Sequence, residues 1–382
     1  MNLSVAEKKS AELTQLIQQE IQSSGGFISF ARFMELTLYA PDLGYYTGNT
    51  TKFGRQGDFV TAPEISPLFA KCLARQCSEI FSTLNPFSMM ELGAGTGIFA
   101  KDLLQELEKL NALPDRYFIV EPSSDLRERQ KKLLQATCPF YFSRIEWRET
   151  LPKEKISGII FANEVLDALP VHCFRMGEKN IEERSVELEN NKFNWRLTKP
   201  TADLEKSVTT LQQEIEFPEG YESEINLALD PWIKNLSNCL QSGVILLFDY
   251  GYGRREFYHP DRTQGTLMCY YQHQRHTNPF LHVGLQDITA HVDFTAVIES
   301  AVSANLTLGG YTTQAAFLFA AGLLELAQSE TLSDVEQFKQ NQAIKTLTLP
   351  SQMGEAIKVI ALTKNYDNPL KGFSLQTRIR DL

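Results

Sequence analysis

The sequence predicts an α/β fold, a mostly parallel sheet with helices on both faces. Three observations carry this. Short apolar runs at residues 89–92, 117–120, 159–162 and 244–248 alternate with segments of helical periodicity, the pattern of strands covered on both faces by crossover helices. A glycine-rich turn, Gly93-Ala94-Gly95-Thr96-Gly97, follows the first run and leads into a helix beginning near Ile98. Acids stand at the ends of the first two runs, Glu91 and Glu121. In open sheets of this kind the ligand lies beyond the carboxyl ends of the strands.

The elements follow in order. Val5, Leu13, Leu16, Ile17 and Ile21 recur at helical spacing over residues 5–22, which predicts a helix. Ser23-Ser24-Gly25-Gly26 ends it. Ser29 is the expected N-cap of a second helix reaching Tyr39. Pro41-Asp42-Leu43-Gly44 is a turn, and residues 67–81 return to helix. Residues 176–221 break the strand–helix alternation. They are acidic and read as strands 184–188 and 193–197 around Asn190-Asn191, a hairpin-type turn. The apolar stripe at 317–324 reads as a core or interface helix, and residues 357–363 as the last strand.

Composition narrows the function classes. The chain has 382 residues, 43% hydrophobic and 22% charged, as in soluble globular proteins. The net charge is −10 and the longest basic cluster is Lys131-Lys132, so the basic patch of a nucleic-acid binder is missing. An acidic chain instead favours cationic partners. The six cysteines form no CxxC pair and the six histidines show no metal-ligand spacing, so reduced thiols and no metal are expected. The amphipathic N-terminus lacks the apolar core of a signal peptide, and no run of 18 apolar residues occurs. A cytoplasmic, bacterial-type chain without a targeting peptide is the expectation.

The glycine loop has G-x-G-x-G spacing, not the G-x-G-x-x-G of dinucleotide sites, and no P-loop is present. Glu91 would repel a pyrophosphate and suits a cationic nucleoside. Both features disfavour an NAD-linked dehydrogenase, although a glycine loop alone also fits a ligand-free turn. Glu121 is placed to accept hydrogen bonds from both ribose hydroxyls; otherwise it is an exposed loop glutamate. After the third run, Asn163-Glu164-Val165-Leu166-Asp167-Ala168-Leu169-Pro170 brings an amide and two acids to the mouth of the expected crevice. Glu164 and Asp167 could orient a cationic acceptor or take its proton; Asp167 reads equally well as the cap of a following helix. Tyr250, His282 and His291 are weaker candidates, His291 chiefly as a structural residue. Tyr45 and Tyr46 read as packing residues, and Asp58 and Glu64 as acids bonding backbone amides in a tight loop.

Several strings together resemble the MidA-like methyltransferases. They are Tyr39-Ala40-Pro41-Asp42-Leu43-Gly44-Tyr45-Tyr46, Gly57-Asp58-Phe59-Val60-Thr61-Ala62-Pro63-Glu64-Ile65-Ser66, residues 91–97 and 163–170, Phe248-Asp249-Tyr250-Gly251-Tyr252, Asp287-Ile288-Thr289-Ala290-His291-Val292-Asp293-Phe294, and Met353-Gly354-Glu355. They span nearly the whole chain, and the strings at 57–66 and 287–294 are the most specific.

The resemblance implies a Rossmann-like class I methyltransferase fold with a mostly parallel seven-stranded sheet. It implies S-adenosyl-L-methionine as methyl donor and S-adenosyl-L-homocysteine as product. Residues 57–66 would form a lid near the cofactor, with Phe59, Thr61 and Pro63 joining Glu91, Gly93, Gly95, Gly97, Glu121 and Asn163 in binding it. The expected division is residues 1–85 as N-terminal helical region and lid, and 86–382 as the core. Residues 171–230 would be a β-rich accessory subdomain inserted between the fourth and fifth strands.

Mitochondrial members of that family are matrix proteins, assembly factors for respiratory complex I that dimethylate an arginine symmetrically. The implied partner is a protein with a target arginine, with a homodimer left open and neither nucleic acid nor membrane insertion expected. A guanidinium stays protonated to a pH above about 12, so its site should offer carboxylates in a bidentate grip. Glu164 is the first candidate, with Asp167 and Asp249 behind it. Two departures from the family pattern occur. Ile357 precedes Lys358 where a phenylalanine is expected, and Pro122-Ser123 reverses a common order. Neither touches the glycine loop. A different acceptor, or an assembly chaperone without turnover, are the competing readings.

Overall fold

In the computed structural model, which describes residues 4–48, 61–328 and 332–382, the apolar runs form the strands expected of them. The strands are β1 (Ser88–Leu92), β2 (Arg116–Val120), β3 (Ile145–Arg148), β4 (Ile156–Asn163), β5 (Leu240–Tyr252), β6 (Thr307–Thr313) and β7 (Ile357–Lys364). They follow one hydrogen-bonded path in the order β6-β7-β5-β4-β1-β2-β3. β1 pairs in parallel with β2 and β4, β2 with β3, and β4 with β5, whereas β7 is antiparallel to β5 and β6. The chain steps from β1 outward to β2 and β3, then returns to β4 on the other side. The switch point therefore lies between β1 and β4, where a sheet of this topology holds its ligand. The glycine loop leaves the end of one, and Asn163-Glu164 the end of the other.

Two strands were not legible as apolar runs, and both lie at sheet edges. β3 is only Ile145-Glu146-Trp147-Arg148, whose polar alternation reflects an edge that is half covered. β6 contains Gly309-Gly310, and its register with β7 shifts between Leu308 and Gly310. A Cβ on Gly310 would stand 2.4 Å from the Phe373 ring and one on Gly309 2.7 Å from Thr363. These two glycines admit close neighbours at a strand irregularity.

One face of the sheet is packed by a chain of aromatic rings. Phe99 stacks on Phe161 at 4.4 Å and 15°, Phe161 meets Phe248 at 5.7 Å, and Phe248 meets Phe69 and Phe317 at 5.4 and 5.1 Å. The helix Ile98–Lys109 delivers Phe99, Leu103 and Leu107 to this core at helical spacing, and Pro67–Phe81 delivers Phe69, Leu73 and Cys77. Phe161, 1% exposed, lies in the middle of this chain of rings. Phe161→Ala is expected to cost about 3–5 kcal/mol of folding free energy, the range for emptying a buried phenylalanine site. Urea unfolding of the purified variant measures it. The stripe at 317–324 is not one helix. Gly322, at φ +91°, separates Gln314–Ala320 from Leu323–Gln328, which leaves Phe317 buried and Leu324 half exposed.

The chain divides into two compact units. One holds Val60–Val165, Asp230–Gly251 and Phe294–Leu382, with the sheet. The other holds Met1–Phe59, Leu166–Leu229 and Tyr252–Asp293. These boundaries differ from those expected. The helix Pro67–Phe81 goes with the sheet because its apolar side joins that core. The accessory unit gains Tyr252–Asp293, which the sequence reading left in the core. Long-range bonds tie it in: Ser10 Oγ donates to the Val283 carbonyl at 2.7 Å, and Tyr46 Oη to Asp287 Oδ1 at 2.8 Å.

The accessory unit contains a five-stranded antiparallel sheet. Ile181–Glu189 pairs with Phe27–Ser29, His172–Met176 and Lys192–Thr198, and His172–Met176 with Glu222–Ile225. The expected hairpin is there, with Asn190 and Asn191 at φ +51° and +60°, the left-handed pair a tight two-residue turn needs. Ser4 and Glu7 form a capping box on the helix Val5–Ser23, and Ser29 caps Phe30–Tyr39 by accepting from the Arg32 amide. Among the described residues no helix is long and apolar enough to cross a membrane, and no histidine, cysteine and carboxylate group is arranged to hold a metal. All six cysteines are buried thiols.

Candidate active site

The loop after β1 turns on three left-handed glycines, Gly93, Gly95 and Gly97, at φ +65°, +52° and +85°. A residue with a Cβ is strained at each. Space is also short: a Cβ on Gly93 would come within 3.3 Å of Val165 Cγ2, and one on Gly97 within 3.2 Å of Gln130 Cγ. The Gly93 amide donates to the Val120 carbonyl at 3.0 Å, and the Gly97 amide to the Ala94 carbonyl at 2.8 Å. Gly97 then caps the helix Ile98–Lys109, while Thr96 Oγ1 accepts from the Ile98 amide at 3.3 Å.

Glu91, one residue before the end of β1, is almost wholly buried and accepts a 2.8 Å hydrogen bond from Tyr117 Oη. Burial pushes its carboxyl up to about 8; the negative charge of Glu121 adds to the rise and the Tyr117 bond opposes it. The carboxyl keeps its proton in the folded chain up to about pH 8 and releases it near 4.5 when unfolded. Between those values the folded state binds more protons, so stability falls as pH rises through the window. Glu91→Gln, neutral throughout, is expected to flatten this slope and to unfold at a higher temperature than the parent chain on the alkaline side. Thermal melts across the pH range measure it. A cation bound at the loop would favour the ionised form instead.

Glu121 follows β2 and is buried, its Oε1 accepting from the Ser123 amide at 2.9 Å. Gln130, fully buried on the helix Ser124–Thr137, joins these parts. Its Nε2 donates to the Gly95 carbonyl at 2.9 Å and stands 3.5 Å from Glu121 Oε2, while its Oε1 accepts from Trp147 Nε1 at 3.1 Å. Sequence reasoning passed over Gln130. The signal was there: Leu126, Gln130 and Leu134 occupy one helical stripe, and a polar residue on an apolar stripe is there to bond something.

Beyond β4 the chain makes an abrupt bend. Glu164 is left-handed at φ +53°, and its amide donates to the Phe248 carbonyl at 2.8 Å. Asn163 Nδ2 donates to Glu164 Oε1 at 2.8 Å. Asp249 is completely buried beside this bend; its Oδ2 accepts from the Val165 amide at 3.1 Å and its Oδ1 from the Tyr250 amide at 2.8 Å. Expected among the catalytic acids, Asp249 uses each oxygen to accept from a backbone amide at the bend. Asp167 belongs to the accessory unit. No helix follows it, so the capping reading fails: residues 166–169 form a turn closed by the Leu169 amide on the Leu166 carbonyl, and the Asp167 carbonyl accepts from the Ala290 amide. Its carboxylate adds, after burial, Asp287 and Tyr39, to the forces raising the Tyr46 hydroxyl well above its ordinary pKa.

Phe59, like residues 57, 58 and 60 of the expected lid, lies outside the described residues. Thr61 is the N-cap of the short helix Ala62–Ile65, and Pro63 sits in its first turn. Among the described residues Glu64 bonds no backbone amide in its own loop; its Oε1 accepts from the hydroxyl of Thr96 in the glycine loop. Among the weaker candidates, the Tyr45 ring is buried, His282 stacks on Tyr271 at 3.9 Å, and the His291 amide donates to Thr266 Oγ1. Ile357, the departure from the family pattern, is buried in the sheet core, where an aliphatic residue packs as well as an aromatic one.

The glycine turn, Glu91 and Asn163 lie at the switch point of one sheet, with Glu121 at the end of the neighbouring strand. A family model for S-adenosyl-L-methionine-dependent methyltransferases matches residues 72–312. The chain belongs to this family. The methyltransferase is 38% identical to a Burkholderia thailandensis protein crystallised with S-adenosyl-homocysteine, with a TM-score of 0.94 over 100% of this chain and 99% of that one. It is also similar to the mitochondrial protein arginine methyltransferase NDUFAF7 of Homo sapiens, 27% identical over 94% of this chain and 84% of that protein. The Drosophila melanogaster homolog of that protein is 27% identical over 97% and 90%. S-adenosyl-L-methionine is thus the methyltransferase's cofactor. The residues present suit it: Asn163 Oδ1 is a buried acceptor with no donor among the described residues, and the cofactor's amino groups are donors.

Proposed function

We propose that this methyltransferase is a protein arginine N-methyltransferase that dimethylates an arginine symmetrically, and that its acceptor is a subunit of the respiratory complex I type. The observation that carries the reading is the Asn163-Glu164 bend. It sets a carboxylate just past β4, oriented by the neighbouring amide, beside the strand whose end carries the glycine loop. The mitochondrial relatives are named protein arginine methyltransferases, which supports arginine as the acceptor side chain.

The cofactor supplies a methyl group already activated by its sulfonium. The protein's task is then to hold the acceptor in line and exclude water. In this reading Gly93, Gly95 and Gly97 let the backbone approach the nucleoside, Glu121 accepts from the ribose hydroxyls, and Thr61 and Pro63 cover it. Glu164 grips the guanidinium with one Nη turned to the methyl group. Glu164 would take the Nη proton that methylation releases and pass it to water. Asp249 positions the bend and does not touch the substrate.

Incubation with labelled donor and candidate complex I-type subunits, followed by mass spectrometry, tests the assignment. Label on an arginine of a subunit is expected. Label on a small metabolite alone, or on another side chain, would overturn it.

A further inference from the structure

The Glu64–Thr96 bond joins a segment far from the glycine loop in sequence to the residue at its centre. Thr96 lies between two left-handed glycines, so the loop has little conformational preference of its own. Its hydroxyl has a single proton, which goes to Glu64 Oε1. That leaves a lone pair directed at the Ile98 amide, an N–H in the first turn of the following helix with no partner inside it. Glu64 is itself held firmly. Its short helix begins at Ala62, fully buried in the sheet core, and ends at Ile65, packed against the same core.

We propose that Glu64 is a positioning residue for the cofactor: through Thr96 it fixes the glycine loop in its binding conformation and couples cofactor affinity to the placement of residues 61–66. The coupling does not depend on which acceptor is methylated. A carboxylate–hydroxyl bond is charge-assisted and stronger than a neutral one, and the loop it restrains contacts the ligand with backbone groups.

Calorimetric titration with S-adenosyl-L-homocysteine, with no acceptor present, tests this. Glu64→Ala is expected to weaken binding about tenfold. Glu64→Gln, which still offers an oxygen to the Thr96 hydroxyl, should recover affinity to within about threefold. Thr96→Val should match Glu64→Ala, and the double variant should be no weaker than about twofold below either single one, since both remove the same bond. The Tm without ligand should stay within about 2 °C of the parent chain. Unchanged affinity in Glu64→Ala, no recovery in Glu64→Gln, or fully additive losses in the double variant would overturn the proposal. If Glu64→Ala fails to fold, Thr96→Val and Glu64→Gln carry the same comparison.

Discussion

Glu164→Gln is expected to lower methyl transfer by about 10²- to 10⁴-fold while leaving S-adenosyl-L-homocysteine affinity within about twofold. The substitution keeps the shape of the side chain and an Oε1 for Asn163 Nδ2 to donate to. The bend depends on backbone bonds, the Glu164 amide to the Phe248 carbonyl and the Val165 amide to Asp249, so it survives the change. Two things are lost, the charge that holds a guanidinium and the group that accepts its proton. A single-turnover assay with labelled donor, on the acceptor that labelling identifies, reads the first number, and calorimetry the second. Full turnover with intact cofactor binding would remove Glu164 from the chemistry. Asp249→Asn should behave differently. An amide there presents one acceptor where the two backbone N–H groups need two, so stability and cofactor affinity should fall together with turnover.

Gly95→Val acts on the other half of the site. At φ +52° a β-branched residue is strained by about 1–3 kcal/mol. The loop relieves that strain by leaving its conformation, which breaks the Gln130 bond to the Gly95 carbonyl and turns the backbone away from the nucleoside. Affinity for S-adenosyl-L-homocysteine is expected to fall by roughly 10- to 100-fold. β1 and the helix Ile98–Lys109 are anchored by buried residues on both sides of the loop, so the variant should still fold, as far-ultraviolet circular dichroism would report. Undiminished binding would place the nucleoside elsewhere.

The two variants separate the donor half of the site from the acceptor half. They also separate an enzyme from a folding partner. If Gly95→Val binds no donor yet still supports assembly of the partner complex in cells, the assembly role does not run through methylation.

The sequence by itself determined the order of the central strands' contents, the hairpin at Asn190-Asn191, the cap at Ser29, and the glycine loop with its flanking acids. Those features rest on interactions within a few residues, or on apolar runs that need burial whatever covers them, so they are written locally. Tertiary structure alone decided what the acids do. Asp249 looked like a partner of Glu164 because both stand near strand ends. It accepts from two backbone amides, one of them 84 residues away. Glu64 looked like a loop acid and reaches Thr96, 32 residues on. Residues Tyr252–Asp293 looked like core and belong to the accessory unit, through contacts such as Tyr46 with Asp287. The reason is common to all three. A carboxylate's role is fixed by which donors surround it after folding, and neither periodicity nor spacing along the chain carries that information.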